Sequence, residues 1–491
     1  MKILFITKSY TIDPLGIAYL SSALKKAGHE VNIACADKEY DLKDKMLFFK
    51  PNILAYSIYT GSHNYYIALN RKIREQYSYD NLISIFGGPH ATFFPEIIND
   101  HYIDYVCRGE CEYVLPALVQ TIKDKNTTRA LSVHYEKKSP EDLDLLSFPD
   151  RKLIYQYPEN ANNPIKNIMT SRGCPFSCGY CYNWAYKQLF TNNPVRHRSI
   201  DNVIQEAVEL ITEYPQTKYI FFEDDEFVSS ESRLREFGIK WHKYVSLPFH
   251  IQLRIELLTR PKAHILKASG CTSVTFAIES GNEQRRKQLL KRNISNDQIL
   301  NGAKILNDYD LKFRTENILG QPTETIDEAL ETLDLNIRCK PTIGWASLFQ
   351  PYPRTQLGEQ CIEAGLFNGN INDIPESFFE KSILNKPPVW KRKMENLQRL
   401  FGLICSFPAL RSMVPLLISV PQNKIYNEIF KLWKTKTYNV LYNMEGDKQC
   451  NLRVKILNMF SPTTKQEVQI IKIKSLSQKE HSKAEGTIQQ G

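Results

Sequence analysis

The chain has 491 residues, of which 42% are hydrophobic and 24% charged, with a net charge of +9. This length exceeds one ordinary core, so two to four domains are expected. The composition excludes global disorder, collagen-like chains and disulfide-stapled mini-proteins. The positive excess concentrates in residues 381–460, where 14 Lys and Arg meet 4 Asp and Glu. A basic face of this kind suits an anionic ligand, a membrane surface or a nucleic acid, with a plain solvated surface as the alternative. There are 11 cysteines, an odd number. The first residues, MKILFITKSY, run straight into a strand pattern and read as carrying no secretion signal. The most apolar stretch, 401–421, is broken by Pro408, Arg411 and Pro415 and makes a poor membrane span. A cytoplasmic setting with reduced thiols is expected, and clustered cysteines there are candidate metal ligands.

In chain order, residues 2–6 form an apolar run that reads as a buried strand, followed by a helix over 16–27 that Gly28 stops. Strand-like runs recur at 31–35, 52–60, 82–88 and 103–109, each separated by room for a helix. This alternation predicts an α/β domain, a doubly wound parallel sheet of the Rossmann type, over 1–135. Residues 136–165 are polar and contain proline, and read as a linker. A second alternation has strands at 167–171, 218–224, 249–254, 273–280, 312–320 and 344–350. Helices are expected between them at 201–214, 261–269, 296–308 and 326–338. Six such units predict a partial (βα)6 barrel over 166–370, with ligands at the C-terminal strand ends. A mainly helical basic region follows over 371–462, then a polar tail over 463–491.

The most specific feature is Cys174-Pro-Phe-Ser-Cys178-Gly-Tyr-Cys181, in the loop after the first barrel strand. Three thiolates this close suit three irons of a cubane cluster and leave the fourth iron open to a small molecule. A zinc site completed by His197 is the alternative that spacing alone leaves open. The other cysteines are scattered singly and read as small buried side chains.

The run SRGCPFSCGYCYN resembles the signature of the radical S-adenosylmethionine (radical SAM) superfamily. The resemblance implies a 4Fe-4S cluster held by Cys174, Cys178 and Cys181. Its open iron would chelate S-adenosylmethionine, and its electron would release a 5′-deoxyadenosyl radical. Tyr180 matches an aromatic position near the adenine. Phe221 to Phe227, with Asp224 and Asp225, matches an F-x-D-D-x-F pattern whose carboxylates could receive the methionyl ammonium. A helix cap and surface acids are the plain reading of the same residues. Arg254 and Glu256 at the end of the third strand suit a zwitterionic ligand. Glu279 and Ser280 resemble a ribose-contacting turn, and Gly320 opens a turn resembling G-L-P-G-E. Gln321 and Thr323 depart from that last pattern, and Glu316 sits where glycine is common.

In the N-terminal domain four turns gather at one sheet edge: Leu15-Gly16, Ser57 to Thr60, Gly87-Gly88 with His90, and Gly109-Glu110. Glycines there let the backbone approach a bulky ligand. With the cysteine motif, these turns resemble the cobalamin-binding domain of radical SAM enzymes of the class B methyltransferase type. The resemblance spans about 1–370 and implies cobalamin as a further cofactor. The D-x-H-x-x-G motif that supplies a cobalt-ligating histidine is absent, since His29 and His90 have the wrong neighbours. The nucleotide tail of the cobalamin is therefore expected off the cobalt. The implied activity is C-methylation of an unactivated carbon, with a radical cyclisation or rearrangement as the alternative. A zinc-stapled basic binding protein is the rival of another class. The implied partners are a small-molecule or lipid-like substrate, of anionic character if the basic region meets it, and an external flavodoxin- or ferredoxin-like electron donor. Peripheral membrane contact is a further expectation from Trp390 to Lys393, Arg399, Arg411 and the aromatics among them, and nucleic acid is not expected. An ordinary amphipathic helical domain explains the same alternation. No residue is assigned as the acid, base or nucleophile of the reaction.

Overall fold

The structure is a computed structural model that describes residues 1–77, 82–125, 131–134, 139–190 and 195–441. The expected tail at 463–491 and the end of the basic region lie outside these residues.

The N-terminal sheet contains β1 (Lys2–Thr7), β2 (Glu30–Cys35), β3 (Ile53–Ser57), β4 (Ile83–Gly87), β5 (Tyr105–Cys107) and β6 (Ser132–His134). All its recorded ladders are parallel, in the order β2-β1-β3-β4-β5-β6. The central strands β1, β3 and β4 are buried on both faces because helices cover both. Ile3, Phe5, Ile53 and Ile85 pack with Leu24 of the helix Leu15–Lys26 and with Leu118 and Val119 of the helix Val114–Lys125. Leu4, Ile6, Leu54 and Phe86 face the other way, toward Tyr66 and Ile73 of the helix His63–Gln76. The sixth strand was not expected: it is three residues long and partly exposed, too short to show a period.

The second half is built from β7 (Ile165–Ile168), β8 (Ser171–Arg172), β9 (Arg196–His197), β10 (Tyr219–Phe222), β11 (Phe249–Gln252), β12 (Cys271–Glu279), β13 (Lys312–Leu319) and β14 (Ile343–Leu348). Six of these form a parallel sheet in the order β7-β10-β11-β12-β13-β14, and β8 pairs antiparallel with β9 apart from it. Five outer helices, Ile200–Glu213, Glu231–Tyr244, Arg260–Ala268, Asn296–Asp308 and Ile326–Cys339, each start on a Ser or Thr whose side chain caps the first turn. Ser295 and Thr325 complete capping boxes with Gln298 and Glu328. The strand expected over 167–171 is divided. Pairing with β10 ends at Ile168, and buried Asp224 accepts from the backbone and hydroxyl of Thr170 (3.0 and 2.8 Å). That clamp turns the chain out of the sheet toward the cysteine loop.

Residues 139–164 are not the solvated linker that polarity suggested. Leu153 and Tyr157 pack in the core of the first sheet, while Ile154 and Tyr155 pack in the core of the second. The polar side chains turn inward. Arg151 donates to Asp13 (3.0 Å), to the carbonyl of Asn167 (2.6 Å) and to Glu206 (2.8 Å), and the Tyr155 hydroxyl donates to Asp13 (2.5 Å). Buried charges persist only when paired this fully, because each lost partner leaves a desolvated ion.

The C-terminal helix Pro388–Ser406 lies against β14, and the helix Lys424–Leu441 lies against it in turn. Phe401, Tyr426 and Trp433 are buried. Arg399 donates to Asn427 (2.7 Å) and Arg411 to Asp334 (2.5 and 2.9 Å), while Lys431 pairs with Glu428 (2.7 Å). Part of the alternation of basic and aromatic residues thus belongs to a packed helical pair, with Phe401, Tyr426 and Trp433 turned inward and Trp390, Phe407 and Phe430 half-buried. No helix among the described residues is long and apolar enough to cross a membrane.

Arg151→Met should cost about 3 kcal/mol, because it strips a buried cation from two carboxylates. A fall in the thermal unfolding midpoint checks this, and an unchanged midpoint would show the network to be dispensable.

Candidate active site between the two sheets

The carboxyl ends of the two sheets face a shared cavity of about 500 Å³. Its N-terminal wall includes Gly16, Ser57, Gly87, Gly88, Gly109 and Glu110, and its opposite wall includes Arg172, Gly173, Tyr182, Asn183, Glu223 and Asp225. A Cβ on Gly16 would meet no atom within 4 Å, so the missing side chain leaves open space. Gly88 has φ +86°, and a Cβ there would stand 2.6 Å from the backbone nitrogen of Ile58. This turn therefore requires glycine to bring the chain close under the cavity.

Three residues expected on this wall stand elsewhere. Leu15 is packed in the core. The His90 ring is 1% exposed, lies 3.0 Å from the Thr60 hydroxyl and stacks on His63 at 4.0 Å and on Phe94 at 5.0 Å. Burial, aided by His63, pushes its pKa down to about 3 and keeps the ring neutral. His63 continues the column to Asn372 (3.1 Å). Thr60 and His90 thus join the N-terminal sheet edge to the segment after the barrel.

Glu110 lines the cavity, yet its charge is already committed. It pairs with Arg172 (2.8 Å) and Arg196, and Glu112 pairs with Arg172 (2.7 Å). Burial alone would raise the Glu110 pKa, but the two guanidinium groups outweigh it and hold the carboxyl below its usual range. The carboxylate ties the N-terminal sheet to the β8–β9 ribbon while standing in the cavity wall.

Ribbon residue Arg172 leads directly into the cysteine loop. Cys174, Cys178 and Cys181 are unbridged. Cys181 caps the helix Tyr182–Leu189, its sulfur accepting from the backbone of Asn183 at 3.5 Å. Lys187 closes the loop by donating to the carbonyl of Phe176 (2.7 Å). Burial pushes the Cys181 thiol up to about 12 and raises Cys174 as well, and in each the neighbouring thiols add to the rise. Such thiols ionise when a cationic metal centre takes the charge. Among the described residues no three His, Cys, Asp or Glu side chains converge on a single ion, and His197 is exposed on β9 opposite Ser171. This disposition does not suit a Cys3His zinc site. Three free thiols on one loop are the donor chemistry that an iron–sulfur cluster takes.

Around the loop, Tyr180 donates to Glu279 (2.6 Å), and Arg292 donates to the Tyr180 oxygen (3.3 Å). Glu279 has φ +69° beside a register shift in β12, and burial raises its pKa. Arg254 and Glu256 pair with one another beside Cys178. Ser280 is fully buried and accepts from the backbone of Asn282 (3.3 Å), so it shapes the turn. The backbone N–H of Gly320 is held by Glu324 (2.6 Å), and Gln321 donates to the carbonyl of Glu279 (3.2 Å). The departure at Gln321 thus binds the β12 and β13 turns together. Of the acidic run, Asp224 is spent on Thr170 and Ser171, and Asp225 faces the cavity with Asn183 donating to it at 3.2 Å. Glu223, passed over in the sequence, also faces the cavity. It accepts from Asn167 (2.5 Å), and burial pushes its pKa up to about 7. Arg172, Arg196 and Arg292 carry no sequence signal of their own beyond the position of Arg172 two residues before Cys174. The helix after the cysteines is gripped on both sides: Tyr182 stacks on Phe93 at 4.3 Å and approaches Tyr352 at 5.7 Å.

The three thiols follow the first strand of a parallel sheet, and their neighbours Gly173, Tyr182 and Asn183 line a cavity shared with the carboxyl edge of a doubly wound sheet. Known families match both parts. The radical SAM superfamily model matches residues 168–335, and the B12 binding domain model matches residues 1–119. The chain thus carries a radical SAM domain and a B12-binding domain, and the cofactors of these domains are a 4Fe-4S cluster with S-adenosylmethionine and cobalamin. It is 28% identical over 375 residues to an uncharacterised methyltransferase of Pyrococcus horikoshii, covering 72% of this chain and 80% of that one. It is 22% identical over 449 residues to an anaerobic magnesium-protoporphyrin IX monomethyl ester cyclase of Rubrivivax gelatinosus, covering 82% and 77%. The solved structure of the radical S-adenosylmethionine methyltransferase TsrM from Kitasatospora setae, with cobalamin and a [4Fe-4S] cluster bound, shares the fold. Its TM-score is 0.59 at 16% identity, covering 74% of this chain and 75% of that one.

Glu110→Gln should lower the thermal unfolding midpoint at pH 7. A carboxylate whose folded pKa is depressed contributes stability above its free value of about 4.3 and loses it as pH falls through the folded value. The gap between variant and wild type should therefore close in acid, and a gap independent of pH would show that the ion pairs are not its source.

Proposed function

We propose that the chain is a radical C-methyltransferase acting on an unactivated carbon of a small-molecule substrate. The cavity beside the cysteine loop and the glycine turns is the observation that carries this reading, because residues next to both motifs line one chamber. The methyltransferase relative supports methyl transfer. In this reading Cys174, Cys178 and Cys181 hold the cluster, and Asp225, beside the loop and open to the cavity, receives the methionyl ammonium. Tyr180 and Glu279 shape the nucleoside side of the pocket. Gly16, Ser57, Gly87, Gly88 and Gly109 cradle cobalamin, and no histidine among them approaches the cavity. When bound, the cofactors supply a 5′-deoxyadenosyl radical and a transferable methyl group. The protein's part is to align the groups across the chamber and to exclude water, for which Tyr19, Tyr56, Phe93 and Tyr182 provide apolar walls.

Cyclase relatives favour a second reading, in which the same architecture closes or rearranges a ring without methyl transfer. The co-products separate the two. Methylation yields S-adenosylhomocysteine and 5′-deoxyadenosine in equal amounts, whereas 5′-deoxyadenosine alone under turnover would establish the second reading. Replacing Cys174, Cys178 and Cys181 together by Ala should abolish bound iron and sulfide while cobalamin binding persists; retained iron in that variant would refute the cluster assignment.

Glu223 titrates near neutrality because burial disfavours its charge, so its negative charge grows as pH rises through about 7. A limb of the turnover pH profile near this value should be present in the wild type and lost in Glu223→Gln. An unaltered limb in the variant would exclude Glu223 as its origin.

A further inference from the structure

Arg254 follows β11 and is 9% exposed, and its guanidinium is engaged on three sides. Nε donates to Oε1 of Glu256 at 2.7 Å, and Nη2 donates to the same oxygen. Nη1 donates to Sγ of Cys178 at 3.6 Å. The guanidinium carbon lies 4.0 Å from the centroid of the Phe176 ring, which belongs to the cysteine loop itself. The backbone N–H of Arg254 is held by Glu226 at 2.5 Å, so the residue is fixed at its root as well. The other carboxylate oxygen of Glu256 is buried without a hydrogen-bond partner. A burial of this kind is costly and is offset here by the paired arginine. Both side chains are thus spent on one another and on the cysteine loop, which leaves little of either for the zwitterionic ligand that the sequence suggested.

We propose that Arg254 is a positioning residue of the iron–sulfur centre, whose Nη1–H···S bond to Cys178 raises the reduction potential of the cluster, with Glu256 limiting the size of the effect. The inference rests on the reading that Cys178 is a cluster ligand. A hydrogen bond to a ligating sulfur stabilises negative charge on the centre. Reduction adds one electron, so the bond is worth more in the reduced state and the potential rises. The Glu256 carboxylate cancels most of the distant field of the guanidinium, so the directed N–H is what the cluster feels most. The two residues should therefore move the potential in opposite directions. Loss of Arg254 removes the donor and lowers it, whereas loss of the Glu256 charge leaves Arg254 uncompensated and raises it. Asp225, Lys187 and Arg292, further charged groups near the loop, are unchanged in both cases.

The test uses the full chain, reconstituted anaerobically without S-adenosylmethionine and titrated electrochemically with the reduced cluster read by electron paramagnetic resonance. At the potential where the wild type is half reduced, Arg254→Met should show about a tenfold lower ratio of reduced to oxidised cluster, which is a 59 mV displacement for one electron. Glu256→Gln should shift the midpoint upward. Arg254→Lys, which keeps the charge but loses the fork, should fall between Arg254→Met and the wild type, and it carries the test together with Glu256→Gln if the methionine variant binds less than its full iron. Equal midpoints in wild type and variants at equal iron content would overturn the proposal, and so would shifts of the same sign in Arg254→Met and Glu256→Gln. Weaker S-adenosylmethionine binding in Arg254→Met with an unmoved midpoint would return the residue to a ligand-binding role. A wild-type chain that assembles no cluster at all would overturn the assignment of Cys178, and this proposal with it.

Discussion

Arg172 reaches from the ribbon before the cysteine loop to Glu110 and Glu112 at the edge of the N-terminal sheet, and Arg196 joins Glu110 from the opposite strand of the ribbon. This ion cluster fixes where one half of the molecule meets the other. Its members are largely buried, so water screens the pairing little and loss of any one member strands its partners. Because Arg172 precedes Cys174 by only one glycine, the contact that docks the sheets also sets the height of the cysteine loop above the glycine turns. Chemistry between two cofactors demands this, since reacting groups a fraction of a turn out of line lose the advantage of being held together.

The segment around Arg151 serves the same end by other means. It places Leu153 and Tyr157 in one core and Ile154 and Tyr155 in the other, with Asp13 and Glu206 sharing the intervening cation. Successive residues thus point into different cores. A well-packed apolar seam of equal volume can match or exceed a buried ion network in stability. The network adds direction, because its hydrogen bonds are satisfied at one relative placement of the sheets.

What could be read in advance followed the physics of repetition. Strand and helix alternate in both halves with apolar strands, so the parallel sheets were legible, and the helix at 296–308 stands where its cap and period place it. The cysteine trio was legible because its spacing is rare and its chemistry specific. The misreadings share a cause: a polar residue looks the same whether it faces solvent, a ligand or another buried charge. Residues 139–164 looked like a linker because their charges are internal. Two arginines from distant sequence claim Glu110, a pairing that no local motif announces, and Asp224 and Asp225 are neighbours with opposite fates because Thr170 and Ser171 claim only the first. His90 was tied to the ligand by its place in a glycine turn, while the stacking of His63 that buries it comes from a helix the motif does not include.

The aromatic grip on Tyr182 has a further meaning for traffic through the enzyme. With Phe93 of the N-terminal half on one side and Tyr352 of the barrel on the other, the helix behind the cysteines is a splint between the two halves. A hinge that parted the sheets would have to unstack these rings and break the ion cluster together. Stacked pairs are worth about 1 kcal/mol each beyond their burial, and the desolvated charges add more. Any parting of the halves to admit a guest would therefore have to overcome both contacts at once, so the splint that aligns the chemistry also sets the cost of opening it.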